Sequence, residues 1–235
     1  MRARILFIGV LCIFSISAGA SPVITTAISP VDGVPFSPFA VLTSDLLQTS
    51  VSSIESSGNF SLEGAGGVSV LNNGQFTIFG HVGNNSQLAT GTNNATIEYD
   101  FNLTLSPQGY NITNITTYGG WNDAGRDQQS IALLYSTVGD PTFHQFDSGF
   151  FNNLSAGGTP SAVRMVFADT LANVDSLLFI FPPNQENNYA GYGEIDVSGA
   201  PVPEPYSYSL LVIAGCIFFM LKRSRIAGSL RFISR

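Results

Sequence analysis

The sequence predicts an all-β fold, a single β-sandwich of the jelly-roll kind, and three observations carry that prediction. First, Ile97, Tyr99, Phe101, Leu103 and Leu105 alternate with Glu98, Asp100, Asn102 and Thr104, the two-residue period of a half-buried strand. Second, β-branched and aromatic runs recur along the middle of the chain, divided by Gly-, Asn- and Pro-rich loops at 64–67, 72–74 and 182–188. Third, helical periodicity is almost absent there.

Residues 1–20 place Arg2 and Arg4 before an apolar run and close on Ala18-Gly19-Ala20, the pattern of a signal peptide cleaved before Ser21. Residues 21–42 hold four prolines and read as a lead-in segment, either a strand or a linker. The sandwich is expected over 43–199, with a single short helix at 45–54. Strands are expected at 76–79, 97–105, 112–118, 130–136, 162–168, 174–180 and 194–198, and no internal repeat is visible. Residues 200–225 run Pro203-Glu204-Pro205, an uncharged stretch 206–221, then Lys222, Arg223 and Arg225. As a helix, 206–221 spans about 24 Å, slightly short of a hydrocarbon core of about 30 Å, a gap that snorkelling Lys222 and tilt can close. The basic cluster puts 226–235 on the cytoplasmic side.

Charge is strongly partitioned. Of nine Lys and Arg, only Arg126 and Arg164 fall within 21–204, against all 16 Asp and Glu, so that stretch carries two cations, sixteen anions and a formal charge of −14. Such a surface repels phosphate backbones and argues against nucleic-acid partners. Both cysteines, Cys12 and Cys216, lie in the terminal apolar segments. The central domain therefore has no disulfide framework, thiolate metal site or cysteine nucleophile.

Trp121, Asn122, Asp123, Arg126 and Asp127 form the densest polar cluster and include the only tryptophan. One reading is a sugar site: an aromatic face stacks on a pyranose while Arg donates to, and the carboxylates accept from, its hydroxyls, with Tyr189 and Tyr192 at the edge. The other reading is structural, with Arg126 pairing with Glu194 or Asp127 to fix the loop on the closing strand and Trp121 filling the end of the core. Abundant hard oxygen ligands would suit a structural calcium ion, although no Asp-x-Asp-x-Asp-Gly loop occurs; no metal ligand set is assigned. Catalysis has little footing. His81 and His144 are the only histidines, no Gly-x-Ser-x-Gly elbow is present, and no carboxylate pair stands out. Asn-x-Ser/Thr occurs at Asn59, Asn84, Asn94, Asn102, Asn111, Asn114 and Asn153, as an Asn- and Thr-rich β composition produces by chance.

Two resemblances extend this reading. The order Val202-Pro203-Glu204-Pro205, short apolar helix, basic cluster resembles the PEP-CTERM sorting signal, with the difference that ten residues follow Arg225. That resemblance implies a Gram-negative source, processing by an exosortase-type membrane enzyme, and delivery through the inner membrane to the surface or extracellular matrix. The stretches 109–136 and 187–199 resemble the galactose-binding-like, discoidin-type sandwich, which implies that fold over about 43–199. In that pattern an early Asp-Gly loop helps hold calcium in some relatives; here Asn73 stands in place of the Asp. The combined expectation is an exported, non-catalytic protein that contacts extracellular polysaccharide. The alternatives are a purely structural surface or biofilm protein and a secreted hydrolase.

Overall fold

The computed structural model describes residues 21–79, 85–123, 125–152, 158–183 and 186–204, with 213 and 216–218. The expected signal peptide, Pro205, most of 206–221, the basic cluster, 226–235 and His81 lie outside the described residues. Among the described residues no helix is long and apolar enough to cross a membrane.

Among the described residues, ten strands and one short α-helix follow in the order β1 (Val23–Ile28), α1 (Leu46–Thr49), β2 (Val51–Ser57), β3 (Ala89–Thr92), β4 (Ala95–Phe101), β5 (Tyr110–Trp121), β6 (Gln129–Thr137), β7 (Asp140–Phe151), β8 (Ser161–Phe167), β9 (Leu171–Phe181) and β10 (Tyr189–Pro201). All pairings are antiparallel. They make two layers, β1-β8-β5-β10-β3 and β2-β4-β9-β6-β7, joined at a corner where Tyr110 and Ile112 of β5 meet Val174 and Leu171 of β9. The expected all-β sandwich is what forms.

The main core lies between the layers. Ile97, Tyr99, Ile131, Leu133, Leu177 and Phe179 of the second layer bury with Ile115, Val163, Met165, Phe167, Ile195 and Val197 of the first. Rings bridge the gap at Phe101–Tyr110 (5.0 Å) and Phe181–Tyr192 (4.7 Å). Each such side chain contributes on the order of 1.5–3 kcal/mol through burial. A second apolar cluster (Phe76, Ile78, Leu88, Tyr118, Trp121 and Ala162) covers the outer face of the first layer, with Phe36, Phe39 and Val41 packed against it. Across β8, β10 and the second half of β5 the first layer is thus covered on both faces, while β1 stays largely exposed. The outer face of the second layer carries Thr96, Glu98 and Asp100, all half-exposed.

Several expected boundaries move. The alternating run stops at Phe101: residues 102–109 form a turn that leaves Leu103 and Leu105 exposed. The helix expected at 45–54 is only Leu46–Thr49, and β2 begins at Val51. Asp45 caps this helix, accepting from Leu47 N at 2.7 Å and Gln48 N at 3.2 Å, while Gln48 Oε1 accepts from Asp45 N at 2.6 Å. The expected strand 76–79 reduces to one bridge, Phe36 to Ile78. The lead-in segment supplies β1, which pairs with β8 along its whole length.

Candidate functional site

Three loops meet at the end of the first layer where β5 finishes. They hold Glu63, residues 122–123 and 125–128, and residues 186–188. Arg126 sits at their junction. Its Nη2 donates to Glu63 Oε1 at 2.7 Å and to Tyr189 Oη at 3.1 Å, and its Nη1 donates to the Gly125 carbonyl at 3.1 Å. The guanidinium carbon stands 4.8 Å from the Tyr189 ring centroid and 6.0 Å from that of Trp121. The loops are locked by backbone-directed bonds: Gly125 N donates to Asp123 Oδ1, Asn187 Nδ2 to the Gly125 carbonyl, and Gly191 N to the Arg126 carbonyl. Glu63 and Asn187 both adopt positive φ, at 53° and 51°, which turns these loop tips toward the arginine.

Burial divides the expected binding residues. Asn122, Asp123, Arg126 and Tyr189 stay half-exposed on this rim. Trp121 is 2 % exposed and packs in the outer apolar cluster, so it presents no ring face for stacking. Asp127 is fully buried, its Oδ2 accepting from Ser161 Oγ at 2.7 Å. Tyr192 is buried too, its hydroxyl donating to the Ser130 carbonyl at 3.0 Å and accepting from Ser130 N at 3.1 Å. The expected pairing of Arg126 with Glu194 or Asp127 is replaced by the pair with Glu63. No sequence pattern singles out Glu63; a Gly-rich loop carries it to the rim.

Glu194 is occupied elsewhere, and a bulge in β10 explains why. The register against β5 shifts between Tyr192 and Glu194. One extra residue inverts the alternation. Tyr192 faces the main core, as do Ile195 and Val197, while Glu194 is turned outward beneath the loop 72–75. There Glu194 Oε2 accepts from the backbone N–H of Asn73, Gly74 and Gln75 (3.2, 3.0 and 3.3 Å), and Oε1 accepts from Gln48 Nε2 at 3.3 Å. Gly74 makes the turn at φ +73°, and a Cβ there would meet Thr43 Cα at 3.1 Å. Asp196 Oδ2 accepts from Leu42 N and from the Tyr118 hydroxyl. Asp45 Oδ2 accepts from Val197 N, which ties α1 to β10.

Burial pushes the Glu194 carboxyl up to about 8 and that of Asp45 up to about 6, and it raises Asp196 as well. Carboxyls raised to different values are the usual equipment of acid–base catalysis. Here Glu194 is fully buried, Asp196 is 3 % exposed and Asp45 is 7 % exposed. A cleft of about 290 Å³ lined by Leu42, Ser44, Asp45, Leu46, Thr49 and Val197 borders the last of these, but both Asp45 oxygens already accept backbone N–H bonds. The cluster holds three segments together.

A calcium ion at the early loop, where Asn73 already departs from the pattern, also meets a poor donor set. A hard cation needs converging oxygens. Around Glu194 the 72–75 loop turns three N–H groups inward, a nest for an acceptor oxygen, and the Glu194 carboxyl already fills it. Among the described residues no group of three His, Cys, Asp or Glu is placed to hold a metal. The 72–75 loop does not fit the ion.

The chain matches no family model and no curated protein. Among solved structures it is similar to an F5/8 type C domain from Bacteroides fragilis, at 13% identity over 70% of this chain and 100% of that one, with a TM-score of 0.45. It is also similar to a pectin-binding carbohydrate-binding module (14% identity, 65% and 94% covered, TM-score 0.38). A third is the CBM32-1 module of a family 31 glycoside hydrolase from Clostridium perfringens (11% identity, 66% and 99% covered, TM-score 0.39).

Proposed function

We propose that this protein is an exported, non-catalytic surface or matrix component that contacts extracellular polysaccharide through the Arg126 rim. The observation that carries the reading is the arginine itself. One of only two cations in an otherwise acidic domain, it is held rigid over Tyr189 with its side chain 17% exposed, beside Asp123, Asn122 and Asn187. A fixed fork of donors next to amide and carboxylate acceptors suits the paired hydroxyls of a sugar. Galactose-binding-like topology, PEP-CTERM sorting by an exosortase-type enzyme and a membrane-embedded 206–221 complete this reading, with the inner membrane of a Gram-negative cell as the route and the cell surface as the destination.

A glycan array with the detergent-solubilised full chain tests the binding part. Saturable binding that Arg126→Ala removes is the expected result; equal signals from both proteins would end it. For sorting, Glu204→Ala is expected to hold the precursor in the inner membrane, and normal surface delivery of that variant would reject the exosortase route. Burial of Trp121 favours one second reading, a purely structural surface protein without a small ligand, and a silent array with a stably folded chain would select it.

A further inference from the structure

The chain leaves the sandwich beside an unusual loop. Pro201 pairs with Tyr110, and Val202 N donates to the Gly109 carbonyl at 2.9 Å, so the exit strand runs against residues 102–109. That loop has no charged residue, and it holds Leu103 and Leu105 out at 37% and 63% exposure. Val23, where β1 begins at the same end of the first layer, is 63% exposed.

The loop is nevertheless well ordered by its own bonds. The Asn102 carbonyl accepts from Leu105 N, Ser106 N and the Tyr110 hydroxyl, and Asn102 Oδ1 accepts from Thr104 N. Ser106 accepts from Gly109 N through its carbonyl and donates to the Gly109 carbonyl through its hydroxyl. Much of its backbone polarity is thus met without water, which lowers the cost of placing it against lipid. From Val202 to Tyr206 the chain can reach at most about 14 Å, and Pro203 keeps the start of that connector extended.

We infer that residues 102–109 rest on the bilayer surface that 206–221 enters, with Leu103 and Leu105 dipping into the interface, so that the Arg126 rim points away from the membrane. This rests on the reading of 206–221 as a membrane segment. The eleven steps from Tyr110 to Trp121 along β5 lift the rim by about 36 Å, clear of the lipid headgroups.

The test places the full chain in phosphatidylcholine vesicles containing brominated lipid and reads tryptophan quenching. Leu105→Trp is expected to lose about half its added emission, as for a side chain seated in the headgroup–acyl boundary. The native Trp121, buried at the far end, and a Val31→Trp probe in the exposed turn that follows β1 at that same end are expected to stay unquenched. A chain that floats with the vesicles while Leu105→Trp is unquenched, or Val31→Trp is quenched equally, overturns the docking and leaves the membrane segment standing. A chain that fails to float with the vesicles overturns both.

Discussion

The two layers of the sandwich solve different problems. The first is buried on both faces across β8, β10 and the second half of β5 and must satisfy polar groups there internally, so Glu194 and Asp196, with Asp45 of the helix cap beside them, accept N–H bonds from loops and strands. The second, β2-β4-β9-β6-β7, is buried on one face and leaves Glu98, Asp100 and Asp175 half-exposed on the other. Glu98 stands directly across from Glu55 with Asp100 on the same strand, and burial together with those two neighbours raises its carboxyl. Covering a sheet twice turns its polar residues into structural parts; covering it once leaves them as surface.

Substitutions can break that contrast, most strongly in the outer cover of the first layer. Trp121→Ala is expected to cost about 3–5 kcal/mol by chemical denaturation, as for other large buried aromatics. A cost under about 1 kcal/mol would mean the outer cluster is not a core.

Next is the pH dependence. Glu194 and Asp45 hold their protons to about 8 and about 6 in the folded chain, whereas unfolded carboxyls release them near pH 4. The folded state therefore binds more protons between those limits, and stability falls as pH rises from about 4 to about 8. Melting curves across that range are expected to show the fall, and Glu194→Gln should flatten its upper half. A melting temperature that climbs over the same range would contradict the buried cluster.

Arg126→Ala is expected to cost only about 0.5–1 kcal/mol, since its partner Glu63 is 43% exposed, while removing polysaccharide binding. On the bare face, Glu98→Lys opposite Glu55 should stabilise by about 0.5 kcal/mol by replacing repulsion with attraction. The smallest effect expected is from calcium: millimolar Ca²⁺ or EDTA should leave the melting temperature unchanged, and a clear rise with Ca²⁺ would reopen the 72–75 loop as a cation site.

The same contrast explains what could be read in the sequence. β4 declares itself because one face is wet, so Ile97, Tyr99 and Phe101 alternate with Thr96, Glu98 and Asp100. The period carries on through Leu103 and Leu105, although Asn102 has already turned the chain out of the sheet. β10 is buried on both sides, and its bulge reverses the facing of Glu194, so no periodicity marks its start at Tyr189. β7 is exposed along most of its length and lacks a buried stripe to reveal it. The site was half legible. Arg126 and its neighbours stand out by composition, but Glu63 reaches them from 63 positions away through a glycine-rich loop. Trp121 looked like a platform because sequence does not show which face of a sheet is covered.

The most direct test is hydrogen exchange of the full chain with and without polysaccharide from an exopolysaccharide-producing Gram-negative bacterium. Slowed exchange is expected only at residues around 63, 122–128 and 186–189, with the outer face of the second layer unchanged. Protection of β2 and β4 instead, with the Arg126 loops unaffected, would contradict it.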